Sequence, residues 1–294
     1  MANKCLSVVL HGGAGAKAGR DYSREIEHMR GLIEAARDAL KAGATALDVA
    51  EATTRELEAS GLYVAGRGAS PNTDGIYELD AAIMDGHLLR CGSVAALEGF
   101  ESPIAVAREV LENTFHVMLA GSGAAGFAAA RGFKRIENPD AWFTRAGTFE
   151  DNHPPGTLAH GTVGCVVRDE EGRLAACTST GGVFGKMPGR VGDSPILGAG
   201  CWADGHVAVS CTGQGEYFVK VAAAAQLAHR MRFAGQSVEE AAKAVLAEIA
   251  GLGGDGGLIA VAADGSIAMP YVSQGMKRAA LTPDGRIVSA AFEL

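Results

Sequence analysis

The chain is read outward from GTVGCVVRDEEGRLAACTSTGG, Gly161 to Gly182. Residues 162–167 and 174–178 are uncharged runs, the first rich in β-branched Thr162, Val163, Val166 and Val167, which favour extended backbone. Asp169-Glu-Glu-Gly172 joins them by a turn so short that the two strands must pair antiparallel. Downstream, residues 207–211 predict another strand, followed by an Ala-rich helix over about 216–232. A further helix is opened by Ser237 and Glu240, an S-x-x-E capping box. Strands near 258–262, 266–269 and 286–290 close the chain, punctuated by Asp264-Gly265 and Pro283-Asp-Gly285.

Upstream, residues 6–10 predict a short strand that stops at the glycine cluster His11-Gly-Gly-Ala-Gly-Ala16. Ile26, Met29, Ile33, Ala36 and Leu40 then recur at steps of three and four, a helical stripe, and Gly43 stands where a helix ends. A second helix is expected over about 45–58, a hairpin over 76–84 and 87–97 through Asp85-Gly86, and helices near 104–111 and 124–130. Residues 132–161 keep no period of either kind, and a loop of that length in a compact chain is usually functional or disordered. Helix pairs alternate with hairpin-linked strands in both halves. The expected class is therefore α+β, with antiparallel sheets packed together and helices outside, in a single domain spanning residues 1–294.

Composition narrows the function. The 294 residues are 48% apolar and 20% charged, a foldable balance that excludes wholesale disorder. Lys plus Arg is 26 against 34 Asp plus Glu, a net charge of -8, so neither nucleic acid nor an anionic membrane surface is an expected partner. The six cysteines are scattered without metal-finger spacing and read as small buried hydrophobes. The apolar run near the start is too short for a secretory signal, and no segment is long enough to span a bilayer. A cytoplasmic protein is expected. Gly121-Ser-Gly-Ala-Ala-Gly126 matches the dinucleotide fingerprint G-x-G-x-x-G after a strand-like segment, which leaves a nucleotide-dependent oxidoreductase as a reading of another class. The next strand would be 133–136, which is short and carries Lys134 and Arg135, so tight helix packing is the better account of those glycines.

Four small-residue clusters lie close together: Gly161-Thr-Val-Gly164, Thr178-Ser-Thr-Gly-Gly182, Gly189-Arg-Val-Gly-Asp-Ser-Pro195 and Cys211-Thr-Gly-Gln-Gly-Glu216. With HGGAGA, AGRGA and ELDAAIMDG earlier in the chain, their order and spacing resemble the plant-type L-asparaginase and isoaspartyl peptidase branch of the N-terminal-nucleophile hydrolases, nearly end to end. The resemblance implies a four-layer αββα sandwich. It also implies a precursor that cleaves itself between Gly161 and Thr162 into pieces of 161 and 133 residues. Cleavage gives Thr162 a free α-amine beside its own hydroxyl. That amine titrates at about 7.7 to 8.0 in model peptides, so it can act as general base without a histidine.

By the same resemblance Thr180 is a second active-site threonine, and Thr212 with Gly213 forms an oxyanion hole. Arg190 grips the substrate α-carboxylate and Asp193 its α-ammonium, while Gly215 lines the same pocket. A guanidinium fork suits a carboxylate and a carboxylate suits an ammonium, although Arg190 and Asp193 would also serve as a plain ion pair. The implied reaction is attack of Thr162 on the β-amide of L-asparagine or of a β-aspartyl dipeptide, releasing aspartate from an acyl-enzyme. No cofactor is implied for catalysis. A structural sodium ion is implied on the backbone carbonyls of Leu57, Glu58, Ser60, Tyr63, Ala65 and Arg67, although Val64 stands where the family usually carries Asn. The resemblance also implies a dimer of αβ units, a heterotetramer. Glycosylasparaginase, the close alternative, typically reads T-S-T-N-G where this chain has Thr178-Ser-Thr-Gly-Gly182.

Overall fold

A computed structural model describes residues 5–144 and 161–293. Most of the aperiodic stretch 132–161 lies outside the described residues. In chain order the elements are β1 (Ser7–Ala14), α1 (Ser23–Lys41), α2 (Ala46–Ala59), β2 (Leu79–Asp85), β3 (Arg90–Leu97), α3 (Pro103–Asn113), β4 (Met118–Ala120), α4 (Gly121–Ala130) and α5 (Pro139–Trp142). They continue with β5 (Val163–Arg168), β6 (Leu174–Thr180), β7 (Cys201–Ala203), β8 (Val207–Gly213), α6 (Gly215–Val221), α7 (Ala223–Ala234) and α8 (Val238–Gly251). The chain closes with β9 (Gly256–Ala262), β10 (Ile267–Ala268), β11 (Met276–Leu281) and β12 (Ile287–Ala290).

Among the described residues the strands form two sheets, and the class is α+β. One has eight strands in the order β12-β11-β1-β5-β6-β2-β3-β4 and the other four in the order β10-β9-β8-β7. Alternation along each strand decides what it touches. In the larger sheet Val8, Leu10, Val163, Cys165, Val167 and Cys177 pack with Met29, Ile33, Leu57 and Val106 of the helices. Val9, Val166 and Ala176, one residue out of step, pack with Ala208, Ile259 and Val261 of the smaller sheet. On the far face of that sheet Val209, Cys211 and Leu258 meet Leu227, Val245 and Ile249 of α7 and α8. Central strands are thus buried on both faces, which explains their unbroken apolar runs.

Several elements depart from expectation. β1 does not stop at the glycine cluster but runs through His11-Gly12-Gly13 to Ala14, with an irregularity between His11 and Ala14. Its glycines mark close approaches: a Cβ on Gly12 would lie 2.5 Å from the Tyr63 ring, and Gly13 holds φ +98°. The 216–232 helix is two helices, α6 and α7, broken at Ala222 with φ 49°. The β2–β3 turn spans residues 86–89 rather than two residues. β4 pairs with β3 in parallel, through α3, so pairing is not antiparallel throughout. Gly121 does open α4 after a strand, but residues 133–136 contribute only the bridge Phe100↔Arg135, so no further parallel strand completes a nucleotide fold. β7 and β11 were not foreseen. The capping box at Ser237 and Glu240 is present.

Candidate active site

Strand alternation places Thr178 and Thr180 of β6, and Ser210 and Thr212 of β8, toward the space between the sheets, while Ser179 faces the helices. Thr162 precedes β5 and is buried. Its hydroxyl donates to Thr180 Oγ1 at 3.3 Å. The Thr180 hydroxyl in turn donates to the Gly161 carbonyl at 2.8 Å and accepts from the Gly182 N–H at 3.0 Å. The 161–162 peptide is enclosed: a Cβ on Gly161 would lie 2.9 Å from Val64 Cβ, and one on Gly13 would lie 3.2 Å from Gly161 Cα. Only glycines fit at either place.

A narrow cavity beside this peptide is lined by Gly161, Thr162, Thr180, Arg190, Asp193 and Gly213, six of the residues singled out from the sequence. Gly182, Val183, Gly192 and Ser194 complete its wall. Thr212 and Gly215 are not part of that wall. The Thr212 hydroxyl accepts from the Ala14 N–H at 3.1 Å, and Gly215 makes room for Asp193, whose Oδ1 a Cβ there would approach to 2.8 Å.

The charges are arranged for a zwitterion. Arg190 does not pair with Asp193: its Nε and a terminal nitrogen both donate to Glu216 Oε1, at 2.9 and 2.8 Å. One edge of the guanidinium is thereby held, and the fork has a second edge. Asp193 is buried, and its Oδ2 has no hydrogen-bond partner among the described residues. Burial pushes its pKa up to about 7 against the pull of Arg190. An ammonium group would supply the missing partner.

Three polar side chains around the site were missed, one of them belonging to Glu58, which the sequence singled out only for its backbone carbonyl. His11 is fully buried, with Nδ1 3.0 Å from the Thr162 carbonyl oxygen and Nε2 2.9 Å from Ser210 Oγ. Burial lowers its pKa to about 3, so the imidazole is neutral. Glu58 is buried with its carboxylate on Ser179 Oγ (2.6 Å), Ser102 Oγ (2.5 Å) and the Ile104 N–H (3.0 Å), and burial raises its pKa to about 7. Glu216 is the third. Polar residues inside apolar runs, such as His11 after Ser7–Leu10, were the available signal.

The loop 57–67 doubles back so tightly that a Cβ on Gly66 would lie 2.6 Å from the Glu58 carbonyl oxygen. The carbonyls of Leu57, Tyr63, Ala65 and Arg67 accept from Ser60 Oγ, Ala65 N, Gly68 N and Thr144 N. The Arg67 carbonyl also takes the Thr144 hydroxyl at 3.4 Å, whereas the other three keep a second lone pair, and neutral oxygens of this kind fit a hard cation. Among the described residues no group of three or more His, Cys, Asp or Glu side chains could hold a metal, and no helix is long and apolar enough to cross a membrane.

Two buried threonine hydroxyls thus meet at the Gly161 carbonyl, beside a cavity that holds an arginine and a carboxylate. The chain belongs to the asparaginase family, whose profile matches residues 4–288. It is 43% identical to the isoaspartyl peptidase of Salmonella typhimurium, covering 94% of this chain and 95% of that one. It is 38% identical to the isoaspartyl peptidase/L-asparaginase of Homo sapiens over 95% and 94% of the two chains. To the plant-type L-asparaginase of Pyrococcus abyssi it is 38% identical over 74% and 77%.

Proposed function

We propose that this chain is a self-processing threonine amidohydrolase that hydrolyses the β-amide of L-asparagine and of β-aspartyl dipeptides, releasing L-aspartate. The observation that carries the reading is the Thr162–Thr180–Gly161 contact set, beside a cavity that holds Arg190 and Asp193. Thr162 Oγ attacks the Gly161 carbonyl carbon, whose oxygen already accepts the Thr180 hydroxyl. The C–N bond breaks, the hydroxyl proton passes to the departing nitrogen, and an ester links Gly161 to Thr162 Oγ. Water hydrolyses that ester, leaving a carboxylate on Gly161 and an amine on Thr162.

In turnover that amine takes the hydroxyl proton as Oγ attacks the substrate β-carbonyl, then returns it to the departing ammonia or amine. Water cleaves the acyl-enzyme. Arg190 holds the α-carboxylate, Asp193 the α-ammonium, and Thr212 with Gly213 the developing oxyanion. Asparagine and a β-aspartyl dipeptide present the same amide with the same α-groups, so one site serves both. The fold that supports this chemistry is read as a single-domain four-layer αββα sandwich of the N-terminal-nucleophile type. Sodium on the carbonyls of Leu57, Glu58, Ser60, Tyr63, Ala65 and Arg67 would stiffen the loop that carries Val64 against Gly161. A dimer of αβ units is the expected assembly, and six free thiols suit a reducing compartment such as the cytoplasm.

The test is a denaturing gel with intact mass and N-terminal sequencing of fresh and incubated protein. Pieces of 161 and 133 residues are expected, the second beginning at Thr162. Aspartate release from both substrates is then expected from the processed form. A chain that stays whole under all conditions overturns the reading.

A further inference from the structure

We propose that His11 is a positioning residue for the nucleophile: its Nδ1–H holds the carbonyl of Thr162, and a hydroxyl relay through Ser210 and Thr178 holds His11. The inference rests on the reading of Thr162 as nucleophile. The directions of the bonds follow from which groups can donate. A carbonyl only accepts, so the contact at 3.0 Å places the proton on Nδ1. Nε2 of the neutral ring is then bare and accepts the Ser210 hydroxyl at 2.9 Å. Ser210 Oγ lies 2.7 Å from Thr178 Oγ1 and accepts from that hydroxyl. The same Thr178 hydroxyl also reaches the Gly200 carbonyl at 3.0 Å, so its proton is shared between that oxygen and Ser210 Oγ, the nearer of the two. One row of donors thus runs Thr178 to Ser210 to His11 to Thr162, crossing from β6 to β8 to β1 to the head of β5.

The need for this hold lies in the strand register. His11 pairs with Gly164, and Val163 with Ser179, so the sheet ladder stops one residue short of Thr162. Once the 161–162 bond is cut, Thr162 becomes a chain end whose amine and hydroxyl must both stay aimed at substrate. Fixing its carbonyl fixes the peptide plane that carries it. The last glycine of Gly161-Thr-Val-Gly164 belongs to the same device. A Cβ on Gly164 would lie 2.0 Å from Ser210 Oγ and 2.4 Å from His11 Nε2, and would sever the relay.

The test separates the two ring nitrogens. His11→Asn keeps a donor at the δ position, and His11→Gln offers its amide at the ε position instead. With thermal melts as the folding control, His11→Gln is expected to lower kcat and the rate of self-cleavage about 100-fold, the scale of a misplaced reacting group, with KM little changed. His11→Asn should stay within about tenfold of wild type, the worth of one internal hydrogen bond. Equal losses in the two variants, or a Gln variant that outperforms Asn, overturns the assignment. Should neither variant fold, long-range 15N–1H spectra of wild-type protein decide it. A buried neutral imidazole protonated at Nδ1 is expected, and an Nε2–H tautomer overturns the proposal. Wild-type processing is the internal control: a wild-type chain that never exposes Thr162 overturns both readings, whereas normal processing with the wrong variant order overturns this one alone.

Discussion

Asp193 is a buried carboxylate short of one partner, and its pKa near 7 gives a pH signature. As pH falls through about 7 it takes up a proton and loses its hold on an ammonium group, so kcat/KM should fall on the acid side of neutrality. Asp193→Asn should raise KM and reduce that limb in steady-state profiles to the single ionisation of the Thr162 amine. Thr180→Ala removes the donor on the Gly161 carbonyl and should slow self-cleavage about 100-fold or more, read from gel time courses, with Thr180→Ser closer to wild type. Glu58 governs stability rather than turnover. Burial raises its pKa from 4.5 to about 7, so the folded chain keeps a proton that the unfolded chain releases. Its contribution is present in full below about pH 4.5 and is lost as pH rises to about 7. Glu58→Gln keeps both kinds of hydrogen-bonding atom and should remove a pH-dependent share on the order of 3 kcal/mol, measured by denaturant melts at pH 5 and 7.5.

At the level of elements, the break between α6 and α7 is the clearest site for a gain. Ala222 sits at φ 49°, a region open at little cost to glycine, so Ala222→Gly should stabilise the fold by about 1 kcal/mol in the same melts. That break was invisible in the sequence because alanine is the best helix former, and only packing forces the turn. Helices with a clear stripe or cap were legible: Met29, Ile33, Ala36 and Leu40 are the buried face of α1, and Ser237 with Glu240 closes its box. β11 was hidden because Lys277 and Arg278 interrupt its apolar run; Arg278 is buried and Lys277 half-buried, among neighbours no local pattern contains. In the site, the motif residues came from the family resemblance, and six of them line one cavity. The Glu216 partner of Arg190 and the His11–Ser210 contact, 199 positions apart, depend on strand order and were not legible.

Across the whole molecule the strand order decides what cleavage can do. β1 belongs to the first 161 residues, yet it lies between β11 and β5, both from the last 133, and β6 pairs with β2 in the reverse sense. The two pieces are therefore expected to co-elute on a native sizing column and to part only in denaturant, each alone losing the larger sheet. The same order bears on biosynthesis. The first strand to be made is an inner strand, and its neighbour β11 follows more than 260 positions later. A ribosome that stalls before residue 276 holds a chain with an open apolar edge, a target for chaperones and aggregation rather than half an enzyme.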